Sequence, residues 1–315
     1  MSGIQYFLDM EIRHLRYFLA VAETGHMTRA AERLGIQQPP LSLQIKSLEK
    51  ELGVSLFHRH PKGVALSDAG RLFQREARQL MDDMAAMEQR MARVARGELG
   101  VLNVGFTSSA AAHAFTPEAL RACRRAWPGI TLSIREDHAA GITDAVETGR
   151  LHCGLIRVPV SQPESLTFEL LLREPVLVAL PKDHALARRR SGVLALADLR
   201  EDGFILVRQP GAPGLYANLL ALCEANGFRP RIAAEVERMV TSLNLVAAGA
   251  GIAVVPASMS GLHPHAVVYL PLREGTPLDA PLTLVYRSAE ASGPAAHFLK
   301  IARDTARKAR GRAAA

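Results

Sequence analysis

A helical N-terminal third broken by one hairpin, a long linking helix, and an α/β body of two lobes are what the sequence predicts. Three observations carry this reading. From residue 12 to 96 apolar residues recur at helical spacing between glycine stops. After Gly100 short β-branched runs alternate with helical patterns. Between Phe73 and Val94 the apolar positions step strictly by four and three.

The 315 residues are 48% hydrophobic and 22% charged, which excludes disorder and leaves room for two or three units of about 100–150 residues each. The longest near-apolar stretch, Leu243 to Pro256, carries Asn244, Gly249 and Gly251 and is too short to span a bilayer. No secretory leader is evident at the N-terminus. Cys123, Cys153 and Cys223 are far apart and odd in number, which suits reduced thiols in a cytoplasm. Fourteen basic and eleven acidic residues lie between Met1 and Arg96, and five basic residues and one acid between Arg303 and Arg312. The long middle is neutral. A basic head on a neutral body points to a polyanion at one end and another task in the body. Residues 303–315 read as a basic tail, a solvated, frayed helix end whose cations suit the negative end of the helix dipole.

Taken in order, Ile12–Glu23 is a helix stopped by Gly25, Thr28–Leu34 a second closed by Gly35, and Pro39–Leu52 a third ended by Gly53. Val54–Leu66, with Pro61 and Gly63, reads as a tight two-stranded hairpin. Ser67 caps a long helix reaching Arg96. Beyond it, strands are expected at 101–106, 130–135, 153–158, 166–171, 176–180, 204–207, 232–236, 252–255, 267–270 and 282–286. Helices are expected at 117–126, 142–148, 215–225, 240–248 and 295–308. Such alternation predicts a mostly parallel sheet covered on both faces.

The second and third helices form a helix-turn-helix. Leu41, Ile45, Leu48 and Leu52 bury one face of the third, and the other offers Ser42, Leu43, Gln44, Lys46 and Ser47. Amides and hydroxyls for base edges, an apolar group for a thymine methyl and a cation for phosphate are what a major-groove helix needs. Thr28, Arg29, Arg33, Gln37, Gln38, Pro39 and Pro40 lie at the turn and its approach, and Arg59 and Lys62 on the hairpin supply phosphate contacts. From the pattern alone, a helical pair of a bundle with a solvated face is the alternative.

Three runs make the head familiar: Arg13 to Glu23 (RHLRYFLAVAE), Ala30 to Ser42 (AAERLGIQQPPLS), and Ile45 to Arg59. With Leu66-Ser67-Asp68-Ala69-Gly70 they resemble the DNA-binding domain of LysR-type transcriptional regulators. Leu102–Phe106, Gly149–Gly154 and Val246–Pro256 are similar to runs of that family's effector domain. The resemblance implies a winged helix-turn-helix over residues 10–67, a coiled-coil linker over 68–96 and a periplasmic-binding-protein-like effector domain over 97–302. In that reading lobe I covers about 97–168 and 271–302, and lobe II about 169–270. Two departures stand out: Leu43 where the family often has Arg, and His26 where a capping Ser is common. A family start falls near Met10, so Ser2 to Asp9 read as a start-site extension.

Phe73, Ala77, Leu80, Met84, Met87, Met91 and Val94 form a seam with a mean spacing of 3.5 on a helix roughly 45 Å long. Phe73 and Ala77 are expected against the chain's own first helix. The rest needs a partner, which predicts a homodimer presenting two heads to a pseudo-palindromic double-stranded operator. In the body, Thr107, Ser108 and Ser109 follow a strand and precede a helical stretch, and Gln209, Pro210, Gly211 and Leu215 lie at the matching strand–loop–helix of the second lobe. They suggest a small carboxylate held between lobes, against plain helix capping as the alternative for the serines. By resemblance to the benzoate- and muconate-responsive branch, Ser109 and Arg157 fall near the effector, and His138 or Ala139 stands at that branch's threonine. Arg157 reads equally as an interlobe salt bridge.

No Gly-x-Ser-x-Gly, His-Glu-x-x-His or Walker loop occurs, so no enzyme is expected. Gly249-Ala250-Gly251 lacks a third glycine, and His58-Arg59-His60 and His263-Pro264-His265 are weak metal candidates. No cofactor, metal or membrane is expected. The expected protein is a cytoplasmic, tetrameric regulator whose effector shifts the lobes, with RNA polymerase a candidate partner. The competing reading is a solute-binding or enzymatic α/β domain whose N-terminal helices only mediate assembly.

Overall fold

A computed structural model describes residues 10–157, 163–189, 192–207, 214–273, 275–288 and 292–314. The chain divides into two compact units, the first ending at Ala92 and the second beginning at Arg93.

The first unit opens with α1 (Ile12–Thr24), α2 (Met27–Leu34) and α3 (Gln38–Leu52). Each ends at a glycine in the left-handed region, Gly25, Gly35 and Gly53, as the sequence predicts. The hairpin follows as β1 (Phe57–His60) and β2 (Gly63–Leu66), paired antiparallel. Gly63 is required there: a Cβ would stand 2.3 Å from the Gly25 carbonyl oxygen. Val64 N donates to that same oxygen at 2.9 Å, so the wing is pinned to the α1–α2 turn. Phe18, Leu41, Ile45, Leu48 and Leu56 form the core, with Phe18 edge-on to Phe73 at 4.8 Å. Ser67 caps the long α4 (Asp68–Ala95), its hydroxyl oxygen accepting from Gly70 N at 2.9 Å and donating to the Ser55 carbonyl.

The second unit contains β3 (Gly100–Phe106), α5 (Ser108–Ala112), α6 (Phe115–Ala126), β4 (Ile130–Glu136), α7 (Ala139–Glu147), β5 (Cys153–Ile156) and β6 (Leu166–Pro181). Then come β7 (Gly203–Val207), α8 (Gly214–Ala225), β8 (Arg231–Val236), α9 (Met239–Ala247), β9 (Ala253–Pro256), β10 (Val267–Pro271), β11 (Asp279–Arg287) and α10 (Gly293–Ala314). The main sheet runs β10-β6-β11-β5-β3-β4, with β9 also on β6, and β7 and β8 pair separately.

The expected mostly parallel sheet is corrected here. Among the strands of the described residues only β3–β4, β3–β5 and β7–β8 pair in parallel, and every pairing of β6 and β11 is antiparallel. The reason is β6. The segments at 166–171 and 176–180, expected as two strands, are one strand of 16 residues that leaves lobe I and enters lobe II. Arg173-Glu174-Pro175 looks like a break, yet Pro175 pairs with Asp279 at the start of β11 and Glu174 is held by an ion pair. Leu171, Leu172, Leu282 and Leu284 belong to the lobe I core, and Val176, Val178, Leu278 and Ala280 to a lobe II core. The lobes thus divide inside β6 and β11 rather than near residues 168 and 270.

The basic segment 303–315 is likewise no frayed tail: through Ala314 it continues α10. Ala302 and Ala306 are buried in the lobe I core, Arg303 pairs with Glu169 at 2.9 Å and Arg312 with Glu118 at 2.8 Å. All three cysteines are buried. Among the described residues no helix is long and apolar enough to cross a membrane.

Candidate functional site

Two sites emerge, one in each unit. In the head, Thr28, Arg29, Gln37, Gln38, Pro39, Pro40, Leu43 and Lys46 are exposed, and Ser42 and Gln44 half-buried. The inner face of α3 is buried through Leu41, Ile45 and Leu48, so the polar face has one orientation. Arg59 and Lys62 stand exposed on the wing, and Arg59 Nη2 donates to Ser42 Oγ at 3.4 Å, bringing wing and α3 together. Arg33 is exposed but paired with Glu23 at 2.8 Å, so it is less free than expected. His26 performs the capping that a Ser would perform: its Nδ1 accepts from Thr28 N at 3.3 Å. The sequence reading missed Glu49, whose Oε1 accepts from Leu56 N at 2.7 Å and Phe57 N at 3.1 Å and fastens the wing's first strand to α3.

In the second unit, β3, β4, β7 and β8 all deliver their carboxyl ends to one cleft of about 170 Å³. Crevices at the carboxyl ends of parallel strands are where open α/β folds hold ligands. Thr107, Ser108 and Ser109 line it from the β3–α5 turn, His138 and Ala139 from the start of α7, and Leu215 from α8. Gln209, Pro210 and Gly211, the remaining candidates, lie outside the described residues, as do Ser2 to Asp9 and Val158. Capping here falls to Thr107 and not to the serines for which it was the alternative: Thr107 Oγ1 accepts from Ala110 N at 3.3 Å as the α5 cap. Likewise His138 Nδ1 accepts from Gly141 N at 2.8 Å as the α7 cap. Ser109 is buried, and its carbonyl accepts from Arg157 Nη2 at 2.8 Å.

Arg157 forms the interlobe bridge that the sequence left as an alternative. It touches the Glu174 carboxylate, and donates to Ser258 Oγ at 3.1 Å and the Ala280 carbonyl at 3.4 Å. Burial draws its pKa below the ordinary guanidinium value, against the pull of Glu174. At the mouth, Arg238 Nη1 lies 2.7 Å from Glu136 Oε1, a second interlobe pair. Beside it burial raises the Asp137 carboxyl, but the His138 N–H and Arg135 outweigh this and hold it below the usual range. Glu136, Arg238, Glu174 and Ser258 were not foreseen. The Glu136–Arg238 and Glu174–Ser258 contacts join residues 102 and 84 apart, and no local pattern signals them. Ile205, Leu206, Leu219, Met239 and Val254 supply an apolar wall. Among the described residues no group of His, Cys, Asp and Glu could hold a metal ion.

A winged helix-turn-helix continued by a long helix, and a two-lobed α/β domain with a cleft, define a DNA-binding regulator with a ligand-sensing module. The comparisons agree. Residues 12–71 match the bacterial regulatory helix-turn-helix protein, lysR family, and residues 95–307 the LysR substrate binding domain. The chain belongs to the LysR family of DNA-binding transcriptional regulators and is not an enzyme. It is 35% identical to the HTH-type transcriptional regulator AlsR of Bacillus subtilis (strain 168), over 93% of this chain and 95% of that one. It is 32% identical to BenM of Acinetobacter baylyi (strain ATCC 33305 / BD413 / ADP1), over 90% and 92%. Full-length CbnR complexed with its target DNA is similar in structure, with a TM-score of 0.78 at 29% identity over 94% of this chain and all of that one. These relatives span several branches.

Proposed function

We propose that this regulator binds a pseudo-palindromic operator as a homodimer joined along α4, assembled further into a tetramer, and responds to a small anionic effector. The observation that carries the sensing role is the convergence of four parallel-strand ends on one cleft with Arg157 at its base. About 170 Å³ is below the roughly 300–1,000 Å³ of drug-sized sites, which favours a compact metabolite. An apolar wall opposite hydroxyls and a guanidinium suits an aromatic or dicarboxylic acid. Thr107, Ser108, Ser109, His138, Ala139 and Leu215 are its proposed contacts. Thr28, Arg29, Gln37, Gln38, Ser42, Leu43, Gln44, Lys46, Arg59 and Lys62 are the proposed DNA contacts. The effector stabilises one angle between the lobes, and DNA geometry follows through the pairing of heads.

Thermal shift with benzoate, cis,cis-muconate and other small acids tests the sensing role. A hit is expected to weaken in Ser109→Ala; equal binding by that variant relocates the pocket. Electrophoretic mobility shifts with genomic fragments test the operator, and no preference over competitor DNA at moderate salt would sink that part.

A further inference from the structure

The outer surface of lobe I carries a charge that neither the wing nor the cleft accounts for. Helix α6 bears Arg121, Arg124 and Arg125 against the single acid Glu118. Helix α10 bears six Lys or Arg against the single acid Asp304. Together they hold a formal charge of +7, equal to that of the whole chain. The two helices run antiparallel, because Arg312 near the end of α10 meets Glu118 at the start of α6, while Trp127 at the end of α6 stacks 3.9 Å from His297 at the start of α10. Their inner faces, Phe115, Ala119 and Cys123 on α6 and Phe298, Leu299 and Ala302 on α10, are buried in the lobe I core, which turns the cations outward.

Both acids on this pair are already engaged, Glu118 with Arg312 and Asp304 with Arg307. Arg121, Arg124, Arg125, Lys300, Lys308 and Arg310 are exposed and, among the described residues, form no ion pair. No exposed large hydrophobic side chain of the described residues lies on either helix. Protein interfaces centre on aromatic or apolar anchors, whereas a surface of cations without anchors matches a phosphate backbone. Arg121 to Arg125 spans about 6 Å of helix axis and Lys300 to Lys308 about 12 Å. Duplex DNA offers one phosphate charge per roughly 1.7 Å of its own axis, so such rows find partners in any register.

We propose that the outer face of the α6–α10 pair is a second, sequence-independent contact for duplex DNA. It would hold DNA beyond the stretch gripped by the heads. The proposal rests on DNA binding by the head, and the experiment separates the two. Full-length protein is titrated by fluorescence anisotropy against mixed-sequence duplexes of about 20 and about 60 base pairs, between roughly 50 and 200 mM salt. In Arg121→Gln/Arg124→Gln/Arg125→Gln, affinity for the long duplex is expected to fall at least about ten-fold. Its salt slope should flatten by about 2 to 3, near 0.9 for each lost phosphate contact. The short duplex should be bound as by the wild type, whereas Arg29→Gln/Lys46→Gln should weaken both. Lys300→Gln/Lys308→Gln, on the other helix, is expected to flatten the long-duplex slope by about 2, which guards against a folding defect in the first variant. Unchanged slopes on the long duplex in both variants would overturn the proposal. So would unchanged slopes with an altered sedimentation coefficient, which would assign the face to a second copy of the chain.

Discussion

Arg157 and Glu174 touch each other with both side chains more than nine-tenths buried, where β6 passes from one lobe to the other. Their remaining capacity is largely met: Glu174 accepts from Ser258 N at 2.8 Å, and Arg157 donates to the Ser109 carbonyl at 2.8 Å. Two buried ions cost desolvation that their attraction roughly offsets, but removing one strands the other. Arg157→Met is therefore expected to destabilise the effector domain by about 3–5 kcal/mol in urea unfolding. Arg157→Met/Glu174→Met should cost clearly less than that single change. A double variant worse than the sum of the singles would mean that shape, not charge, holds the lobes here.

Glu49 makes a second prediction, in the head. Its carboxylate gathers two wing amides, Leu56 N and Phe57 N, which otherwise face no partner from α3. Glu49→Ala should cost about 1–3 kcal/mol and weaken DNA binding by loosening the wing against α3. Glu49→Gln keeps an acceptor oxygen and should lie between Ala and wild type. Thermal unfolding and anisotropy on one sample check both statements; stable protein with full DNA affinity in Glu49→Ala would remove the wing-fastening role.

How much of this was legible depended on the range of the interaction. The glycine stops at 25, 35 and 53, the Ser67 cap and the amphipathic α3 are local, and each stands where its neighbours in sequence require it. The continuity of β6 was not legible, because Glu174 and Pro175 look like a turn until Arg157 and Asp279 are brought beside them. The last turns of α10 looked solvated because their small buried residues, Thr305 and Ala306, give a faint apolar signal beside five cations. At the cleft, the turn after β3 was readable as strand, hydroxyls and helix. The Glu136–Arg238 pair, 102 residues apart, has no counterpart in any local pattern.

His113 gives a pH prediction. It is half-buried, with Nδ1 accepting from Phe115 N at 3.0 Å, and burial pulls its pKa down; Glu174 opposes this and Arg157 adds to it. A folded-state value below the unfolded one means that the unfolded chain binds the proton first as pH falls. The associated stability is complete above the unfolded value near 6.5 and is lost as pH falls through the folded value. The wild-type thermal midpoint should thus drop between about pH 7 and 5 more steeply than that of His113→Asn. Parallel curves would show that other groups govern acid sensitivity.

Buried thiols should be silent at mildly alkaline pH. Burial pushes the Cys223 thiol up to about 11 and raises that of Cys123. Thiolate is the reactive form, so native protein near pH 8 should resist alkylation and react only on unfolding. Rapid modification of native Cys223→Ser protein would show that one of the other two thiols is reachable.

The seam on α4 is divided by its surroundings, and this sets the last prediction. Ala77 is fully buried in the head core and Phe73 packs on Phe18, so the first turns of the seam serve the chain's own fold. Met84 is half-buried, while Leu80, Met87, Met91 and Val94 are 48–57% exposed on a helix with no other large apolar face in that stretch. Exposed Met and Leu at coiled-coil spacing need a second helix to leave water. Met87→Glu/Met91→Glu places like charges across such a seam and should shift sedimentation at micromolar concentration toward the monomer, with the head's unfolding unchanged. Phe73→Ala should act the other way, lowering the stability of the head and leaving self-association through the lower seam. Operator binding by the Met87/Met91 variant should fall by more than ten-fold, because two heads no longer share one effective concentration. If that variant still sediments as wild type, α4 is not where the copies join.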